Sequence, residues 1–168
     1  MSVRGLMVAA AFGSVLLLGG AFLFQSLGYA PCQMCLWQRW PHMVAIALGV
    51  VAVFWSRWPV ALGGTLALLT TAGLGLYHTG VEKDWWQGPT SCSGGSSLGN
   101  LSGADLLSAD VVDRVVMCNE VSWAFAGLSM ASWNAILSLC LALVWAVAML
   151  RLLRAPSLQG SAPEVRRG

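Results

Sequence analysis

The sequence predicts an all-α, polytopic membrane protein: a four-helix transmembrane bundle with a short interfacial helix in its second outer loop. Composition is the first reason, because apolar residues make up 57% of the chain and charged residues 10%, whereas soluble domains carry about 25% charge. The second is the presence of four apolar runs, each near the roughly 20 residues that a helix needs to cross a bilayer. They form one expected domain over residues 1–155, with spans at 6–24, 36–55, 60–77 and 131–150.

The basic residues orient these spans. Short loops rich in lysine and arginine stay on the cytoplasmic side, and six of the nine basic residues fall on one side if four spans alternate. Both termini are therefore expected in the cytoplasm, with the loops 25–35 and 78–130 outside and the tail 156–168 as a disordered cytoplasmic segment. The six residues are Arg4, Arg57, Arg151, Arg154, Arg166 and Arg167.

Residues 1–30 have an alternative interpretation as a cleaved signal peptide. Arg4, the apolar run after it and the small residues Gly28 and Ala30 are weakly typical of one. The apolar run is longer than the about 7–15 residues of a usual signal-peptide core, and Pro31 would begin the mature chain. The sequence therefore favours a first transmembrane span.

The second span contains Pro41 close to its start, and two helix boundaries are compatible with it. If the helix begins before Cys35, then Cys35 and Arg39 lie one turn apart on the same face, and Pro41 removes one backbone hydrogen bond. If it begins near Trp40, Pro41 takes a favoured first-turn position, and Cys35 and Arg39 lie in a loop. The sequence leaves both boundaries open.

The third span ends at Tyr77 and His78, and the long loop after it is expected to hold one short helix. Apolar residues recur at helical spacing over residues 101–117, with Ser102 and Asp105 placed like a capping box. Such a helix lies flat on the membrane or packs on the rest of its own loop, and the sequence supports both arrangements equally.

The clearest chemical signal lies at the start of the second span. Cys32 and Cys35 form a Cys-x-x-Cys pair, a spacing that lets a disulfide close and reopen and therefore suits redox chemistry. Arg39 follows Cys35 by four residues. A thiol in the first turn of a helix, one turn from a guanidinium, is expected to ionise easily. Cys35 is therefore the expected thiolate.

The remaining cysteines predict a second disulfide. Cys92 and Cys118 lie in the outer loop, so with Cys32 and Cys35 they can form two disulfides in a compartment where disulfides persist. Taken alone, Cys92 and Cys118 are more typical of a structural staple, although the glycine- and serine-rich setting of Cys92 argues for exchange. Cys140 lies inside the fourth span and is expected to be a small buried apolar residue.

Metal, haem and nucleotide sites are disfavoured. Four cysteines with one close pair in an oxidising compartment argue against zinc, and Leu36 stands where a c-type haem motif has histidine. We therefore predict no metal site and no nucleic-acid partner.

Arg39 and His78 are candidate ligands for a small molecule. Arg39 either holds a polar group or anchors the span by reaching toward the headgroups, and an ionisable residue inside a span favours the first interpretation. His78 closes the third span at the outer surface, where it either contacts a ligand or marks the interface. The interface is the simpler interpretation for His78.

Together these residues resemble the disulfide bond formation protein B (DsbB) family. The similarity consists of Cys32-x-x-Cys35-x-x-x-Arg39 after a first span, followed by Cys92 and Cys118 in a long loop between the third and fourth spans. It implies a four-helix bundle in the bacterial inner membrane with its cysteines in the periplasm. Such a protein oxidises the periplasmic thiol oxidase DsbA and passes electrons to ubiquinone or menaquinone.

The resemblance also implies a role for each residue. Cys92 resembles the cysteine that forms the mixed disulfide with DsbA, and Cys118 resembles its partner, which can pair with the first cysteine of the close pair. Cys35 resembles the thiolate that meets the quinone ring, and Arg39 resembles the residue that holds the quinone. A family histidine linked with quinone reactivity falls near His78.

Two other function classes remain as alternatives. A vitamin K epoxide reductase-like enzyme is also four-helical and linked to quinones, but its close cysteine pair lies later in the chain. A non-enzymatic membrane protein with two structural disulfides would carry the same four cysteines. Bound quinone in stoichiometric amount would distinguish an enzyme from this structural protein.

Overall fold

The structure is a computed structural model that describes residues 1–89, 92 and 117–154. The described part contains four α-helices and one short β-hairpin, which confirms the predicted all-α membrane class. Apart from Met117, the helix expected over 101–117 and the tail expected over 156–168 lie outside the described residues. The elements are α1 (Val3–Ser26), α2 (Gln33–Phe54), α3 (Trp58–Glu82), β1 (Ala124–Phe125), β2 (Leu128–Ser129) and α4 (Met130–Arg154).

Each predicted span lies largely within one helix, and local sequence explains where the helices begin. The Ser2 hydroxyl accepts a hydrogen bond from the Gly5 N–H at the start of α1, and the Cys32 sulfur accepts one from the Cys35 N–H at the start of α2. Pro59 lies in the first turn of α3, where its missing N–H costs no helical hydrogen bond.

Within the described residues, α1, α3 and α4 are long and apolar enough to cross a membrane by length and composition. Helix α2 has 22 residues, but polar side chains in its first turns reduce its hydropathy below that of the other three. Those side chains are therefore held inside the bundle or at the end of it that carries Cys32 and Cys35. They are Gln33, Gln38, Arg39 and His42.

The four helices form a ring in which α1 packs on α2 and α4, and α3 packs on the same two helices. Small residues allow this close packing. Gly49 of α2 faces Ala11 of α1, and Gly64 of α3 faces the indole of Trp145 of α4, so a Cβ atom at either glycine would overlap its neighbour. Around these contacts lies an apolar core that contains Met7, Ala10, Ala45, Ala61, Leu68, Ala142 and Trp145.

The hairpin leads directly into α4. Its turn residues, Ala126 and Gly127, have φ values of +52° and +77°, the left-handed pair that a tight two-residue hairpin requires. The indole N–H of Trp133, in the first turn of α4, donates to the carbonyl of Phe125 at 3.1 Å. This bond fixes the aromatic hairpin against the end of the bundle that carries the cysteines.

Three sequence-based expectations are settled by the helices. Helix α2 begins at Gln33 and contains Pro41 in its interior, so Cys35 and Arg39 lie on the helix rather than in a loop. Cys140 is exposed on the outside of α4, so its predicted burial is wrong. An all-apolar span does not reveal which of its faces packs on protein and which on lipid. His78 is 2% exposed, so its interpretation as an interface residue is also wrong.

Candidate functional site

The structure brings four cysteines together at one end of the bundle. Cys92 and Cys118 form a disulfide, whereas Cys32 and Cys35 are free thiols whose sulfur atoms lie 2.9 Å apart. The sulfurs of Cys32 and Cys118 and a ring nitrogen of His78 all lie within 4.8 Å of one another. We call Cys32 and Cys35 the inner pair and the Cys92–Cys118 bond the outer disulfide. The two are adjacent, and their cysteines share one buried cluster.

Cys32 is the favoured thiolate of the reduced pair. The Cys35 backbone N–H donates to its sulfur at 3.3 Å, the Cys35 sulfur lies 2.9 Å away, and His78 Nε2 lies at 3.5 Å. The hydrogen bond from the Cys35 thiol, helped by His78 and opposed by burial, lowers the pKa of Cys32 to about 4. The sequence indicated Cys35 as the thiolate, whereas in this arrangement the cap at the start of the helix favours Cys32.

Arg39 lies one helical turn beyond Cys35 and is turned toward α1. Its Nη1 donates to the side-chain oxygen of Gln25 at 2.8 Å, and its guanidinium lies over the ring of Phe22, 4.8 Å from the centroid. The Nε of Arg39 is buried and has no hydrogen-bond partner among the described residues. One donor of this cation is therefore unpaired in the part of the chain that the structure describes.

His78 links the two cysteine pairs. Its Nε2 lies 3.2 Å from the carbonyl oxygen of Cys118 and 3.5 Å from the sulfur of Cys32. Because a carbonyl oxygen only accepts, Nε2 carries the hydrogen, and the opposite nitrogen, Nδ1, accepts from Gln38 Nε2 at 3.0 Å. His78 therefore donates toward Cys32. The carboxylate of Glu82 lies 3.9 Å from the same Nε2, and Glu82 in turn accepts a hydrogen bond from the Ser129 hydroxyl.

A buried polar network below the cysteines was not predicted from the sequence. Gln38 is its centre, since its side chain contacts both His78 and Asn134. His42 and Thr71 complete it through Asn134, at 3.0 and 3.2 Å. The available signal was the presence of polar side chains within apolar spans, where unpaired polar groups are costly. The sequence does not show which of them converge.

A cavity of about 420 Å³ opens beside the thiol pair. It lies within the usual range of about 300–1,000 Å³ for small-molecule sites. Its walls are mainly apolar side chains of α1 and aromatic residues around the hairpin. Its polar lining is smaller in area and includes both thiols of the close pair together with Gln38, Arg39, His42, His78, Glu82, Glu120, Ser122 and Asn134. The aromatic wall is formed by Phe24, Tyr29, Trp123, Phe125 and Trp133.

The cluster of Cys32, His78 and Cys118 also has the spacing of a metal site. The sulfur of Cys118 is bonded to Cys92, so it is not available as a thiolate ligand in this state. The same short distances serve thiol–disulfide exchange directly.

The chain was compared with known proteins. The model of the family described as disulfide bond formation protein DsbB matches residues 3–148. Disulfide bond formation protein B of a Polaromonas species is 30% identical over 83% of this chain and 85% of its own length. The protein of the same name in Aromatoleum aromaticum is 33% identical over 80% and 82%. Disulfide bond formation protein B 2 of Pseudomonas aeruginosa is 30% identical over 75% and 78%. No solved structure matches the chain.

These matches confirm the resemblance that the cysteine pattern indicated. The family match over residues 3–148 includes Cys32, Cys35, Cys92 and Cys118 and most of the four helices. The chain is therefore a membrane protein of disulfide bond formation and belongs to the DsbB family.

Proposed function

We propose that this protein reoxidises a periplasmic DsbA-like dithiol protein and passes the two electrons to a membrane quinone, either ubiquinone or menaquinone. The observation that supports this most strongly is the contact between the two cysteine pairs. A low-pKa sulfur at Cys32 lies within 4.8 Å of the disulfide sulfur of Cys118, and Cys32 and Cys35 both line a cavity.

Exchange begins when a thiolate of the dithiol partner attacks the sulfur of Cys92 and displaces Cys118. Cys92 lines a second cavity, of about 590 Å³, together with Asp84 and Asn119. Among the described residues, this cavity shares no lining residue with the one beside Cys35. The partner protein and the electron acceptor therefore approach from different sides.

The displaced Cys118 thiolate then attacks Cys32 in the closed Cys32–Cys35 disulfide and releases Cys35. The partner's second thiol attacks its own mixed disulfide, leaves oxidised and frees Cys92. Cys92 then attacks Cys118 and releases Cys32. The balance is one disulfide gained by the partner and one lost between Cys32 and Cys35. In this structure the outer pair is closed and the inner pair is open. This thiol state corresponds to the protein after one partner has been oxidised and before the inner pair is reoxidised.

The electrons leave when Cys32 and Cys35 close their disulfide again. A quinone bound in the cavity supplies the acceptor for two electrons and two protons. The cavity fits such a group, because its walls are apolar and aromatic and the buried Arg39 Nε lacks a partner among the described residues. The guanidinium would hold an oxygen atom and stabilise negative charge on it. Cys32 and Cys35, which both line the cavity, would supply the electrons.

The same proposal fixes the orientation in the membrane. Exchange with a periplasmic partner requires the cysteine end of the bundle to face the periplasm, with both termini in the cytoplasm. The arginines around the short connection at Arg57 and after α4 support this orientation. Reporter fusions at residues 57 and 155 should be active only with a cytoplasmic reporter. Periplasmic activity at both sites would overturn it.

The decisive experiment is quinone reduction by the purified protein with a reduced DsbA-like partner. We expect the quinone absorbance to fall and the partner to become oxidised in equal amounts, with neither change when the protein is omitted. The Cys140→Ser variant is the matched control, because this cysteine lies on the outside of α4. Partner oxidation without quinone consumption, or neither change, would contradict the proposal.

A further inference from the structure

The polar network has a fixed direction of hydrogen bonding, and a backbone carbonyl sets it. Gln38 Nε2 lies 3.2 Å from the carbonyl oxygen of Met34, which can only accept. The Gln38 side chain therefore has its nitrogen there, and its oxygen faces Asn134 Nδ2 at 2.7 Å. Asn134 is the donor in that contact.

Thr71 confirms the orientation of Asn134 independently. The Thr71 hydroxyl donates to the carbonyl of Gln38 at 3.0 Å, so its oxygen accepts from Asn134 Nδ2 at 3.2 Å. The amide oxygen of Asn134 consequently faces His42 Nε2 at 3.0 Å. Because an amide oxygen only accepts, Nε2 carries the hydrogen, and neutral His42 has its lone pair on Nδ1.

That lone pair has no counterpart in the described part of the chain. His42 is 3% exposed, and its Nδ1 is buried without a hydrogen-bond partner. The residue lines the cavity that contains Cys35 and Arg39. A buried acceptor is costly to leave unpaired, and a molecule in the cavity that His42 lines is a source of the missing donor hydrogen.

We propose that His42 Nδ1 is a binding atom for the reduced form of the quinone and accepts a hydrogen bond from one of its hydroxyl groups. This inference rests on the proposed function. An oxidised quinone has oxygen atoms that accept but no hydrogen to donate, so it gains nothing from a neutral His42. Arg39, a donor, serves the oxygen of either form. His42 therefore makes the cavity selective for the reduced form, which favours electron transfer out of the thiol pair.

Two substitutions separate the two nitrogens of His42. The amide of glutamine reaches the position of Nε2, so His42→Gln keeps a group near Asn134 and loses the atom at Nδ1. The shorter asparagine reaches the position of Nδ1, so His42→Asn does the reverse. If His42 has only a structural role through Nε2, His42→Gln should keep more of the affinity for hydroquinone than His42→Asn. If Nδ1 binds the molecule in the cavity, His42→Asn should keep more of that affinity.

The measurement is direct binding of short-chain quinone and hydroquinone to oxidised protein under anaerobic conditions. With both disulfides closed, the protein holds no dithiol that could reduce the quinone, and thiol counting checks that they stay closed. We expect His42→Gln to weaken hydroquinone binding by about tenfold, the effect of one lost hydrogen bond, with quinone binding unchanged. His42→Asn should retain part of the preference. Equal affinities for hydroquinone in His42→Gln and the unsubstituted protein would overturn the assignment.

Two further readouts keep the test independent of folding and of the proposed function. Ser138→Ala is the matched control, because the Ser138 hydroxyl lies 3.4 Å from His42 Nε2 but does not line the cavity, and it should leave both affinities unchanged. In unsubstituted protein with nitrogen-labelled histidine, the His42 Nδ1 resonance should shift with hydroquinone only; no shift would overturn the role of His42. If the unsubstituted protein binds neither form, the proposed function itself fails.

Discussion

The two ends of the bundle are held together in different ways. At the cysteine end, α2, α3 and α4 are joined by directed hydrogen bonds, and we call this the polar half. At the other end the helices meet through small apolar residues in close contact, and we call this the apolar half. The polar half contains Gln38, His42, Thr71, His78 and Asn134, whereas the apolar half contains Ala11, Gly49, Ala61, Gly64, Leu68 and Trp145.

This difference separates chemistry from assembly. A hydrogen bond holds an atom at one distance and angle, so a substitution in the polar half should alter reactivity or binding before it unfolds the protein. Close apolar contact has no direction, so a substitution in the apolar half should alter stability and leave the thiols unchanged. The two halves can therefore be tested separately.

The largest effect is expected in the polar half from Cys92→Ser. If Cys92 is the entry point for the dithiol partner, this variant loses all turnover with a DsbA-like protein and can still close the Cys32–Cys35 disulfide. Partner oxidation and thiol counting on the purified variant measure the two effects. Cys140→Ser should behave like the unsubstituted protein. A normal rate of partner oxidation by Cys92→Ser would show that the outer disulfide is only a structural staple.

Arg39→Ala should have the next largest effect. Loss of one charge-assisted hydrogen bond costs roughly 1.5–3 kcal/mol, or about ten- to a hundredfold in quinone affinity or rate. Arg39→Lys should lose less, since it keeps the charge without the planar set of donors. The first exchange with the partner should remain normal in a single turnover. Steady-state kinetics at varied quinone concentration test this, and an unchanged quinone dependence in Arg39→Ala would leave Arg39 as an anchor of α2.

Gly64→Ala tests the apolar half. The added methyl group would overlap the fully buried indole of Trp145, and such overpacking costs about 1–3 kcal/mol. Gly73→Ala in the same helix is the matched control, because its Cβ would meet nothing within 4 Å. Unfolding in detergent should show a loss of stability for Gly64→Ala only, with the thiol reactivity of both variants normal. Altered thiol reactivity in Gly64→Ala would mean that the halves are coupled.

The smallest expected effect concerns the proton on Cys32. With a pKa of about 4, the thiolate should dominate at neutral pH and disappear only as the pH falls through about 4. Cys35→Ala removes the main donor and should raise the pKa by roughly one unit, about 1.4 kcal/mol, while Cys35→Ser keeps a donor and should raise it less. Thiolate absorbance against pH in a Cys140→Ser background measures both. A Cys32 pKa that stays at about 4 in both variants would assign the low pKa to His78 and the helix start instead.

The parts of this arrangement that the sequence predicts are those encoded locally. The spans follow from apolar runs. The redox role of Cys32 and Cys35 and the placing of Arg39 beside them follow from the spacing of the three residues. The network could not be predicted, because Gln38, Thr71 and Asn134 come from three helices and meet only when the bundle forms. The choice between Cys32 and Cys35 as the thiolate could not be made from the sequence for a related reason. It depends on α2 beginning directly after Cys32, and Pro41 obscured that boundary.

The separation of the two cavities has a consequence for inhibition. A molecule that fills the cavity beside Cys35 would not occupy the space beside Cys92, since among the described residues the two share no lining. On the proposed mechanism, a fully oxidised protein blocked in this way would still oxidise up to two equivalents of its partner, one for each disulfide it holds, and then stop. An inhibitor at the outer cavity would abolish even that first equivalent. The size of the initial burst would therefore reveal which end of the relay a compound blocks.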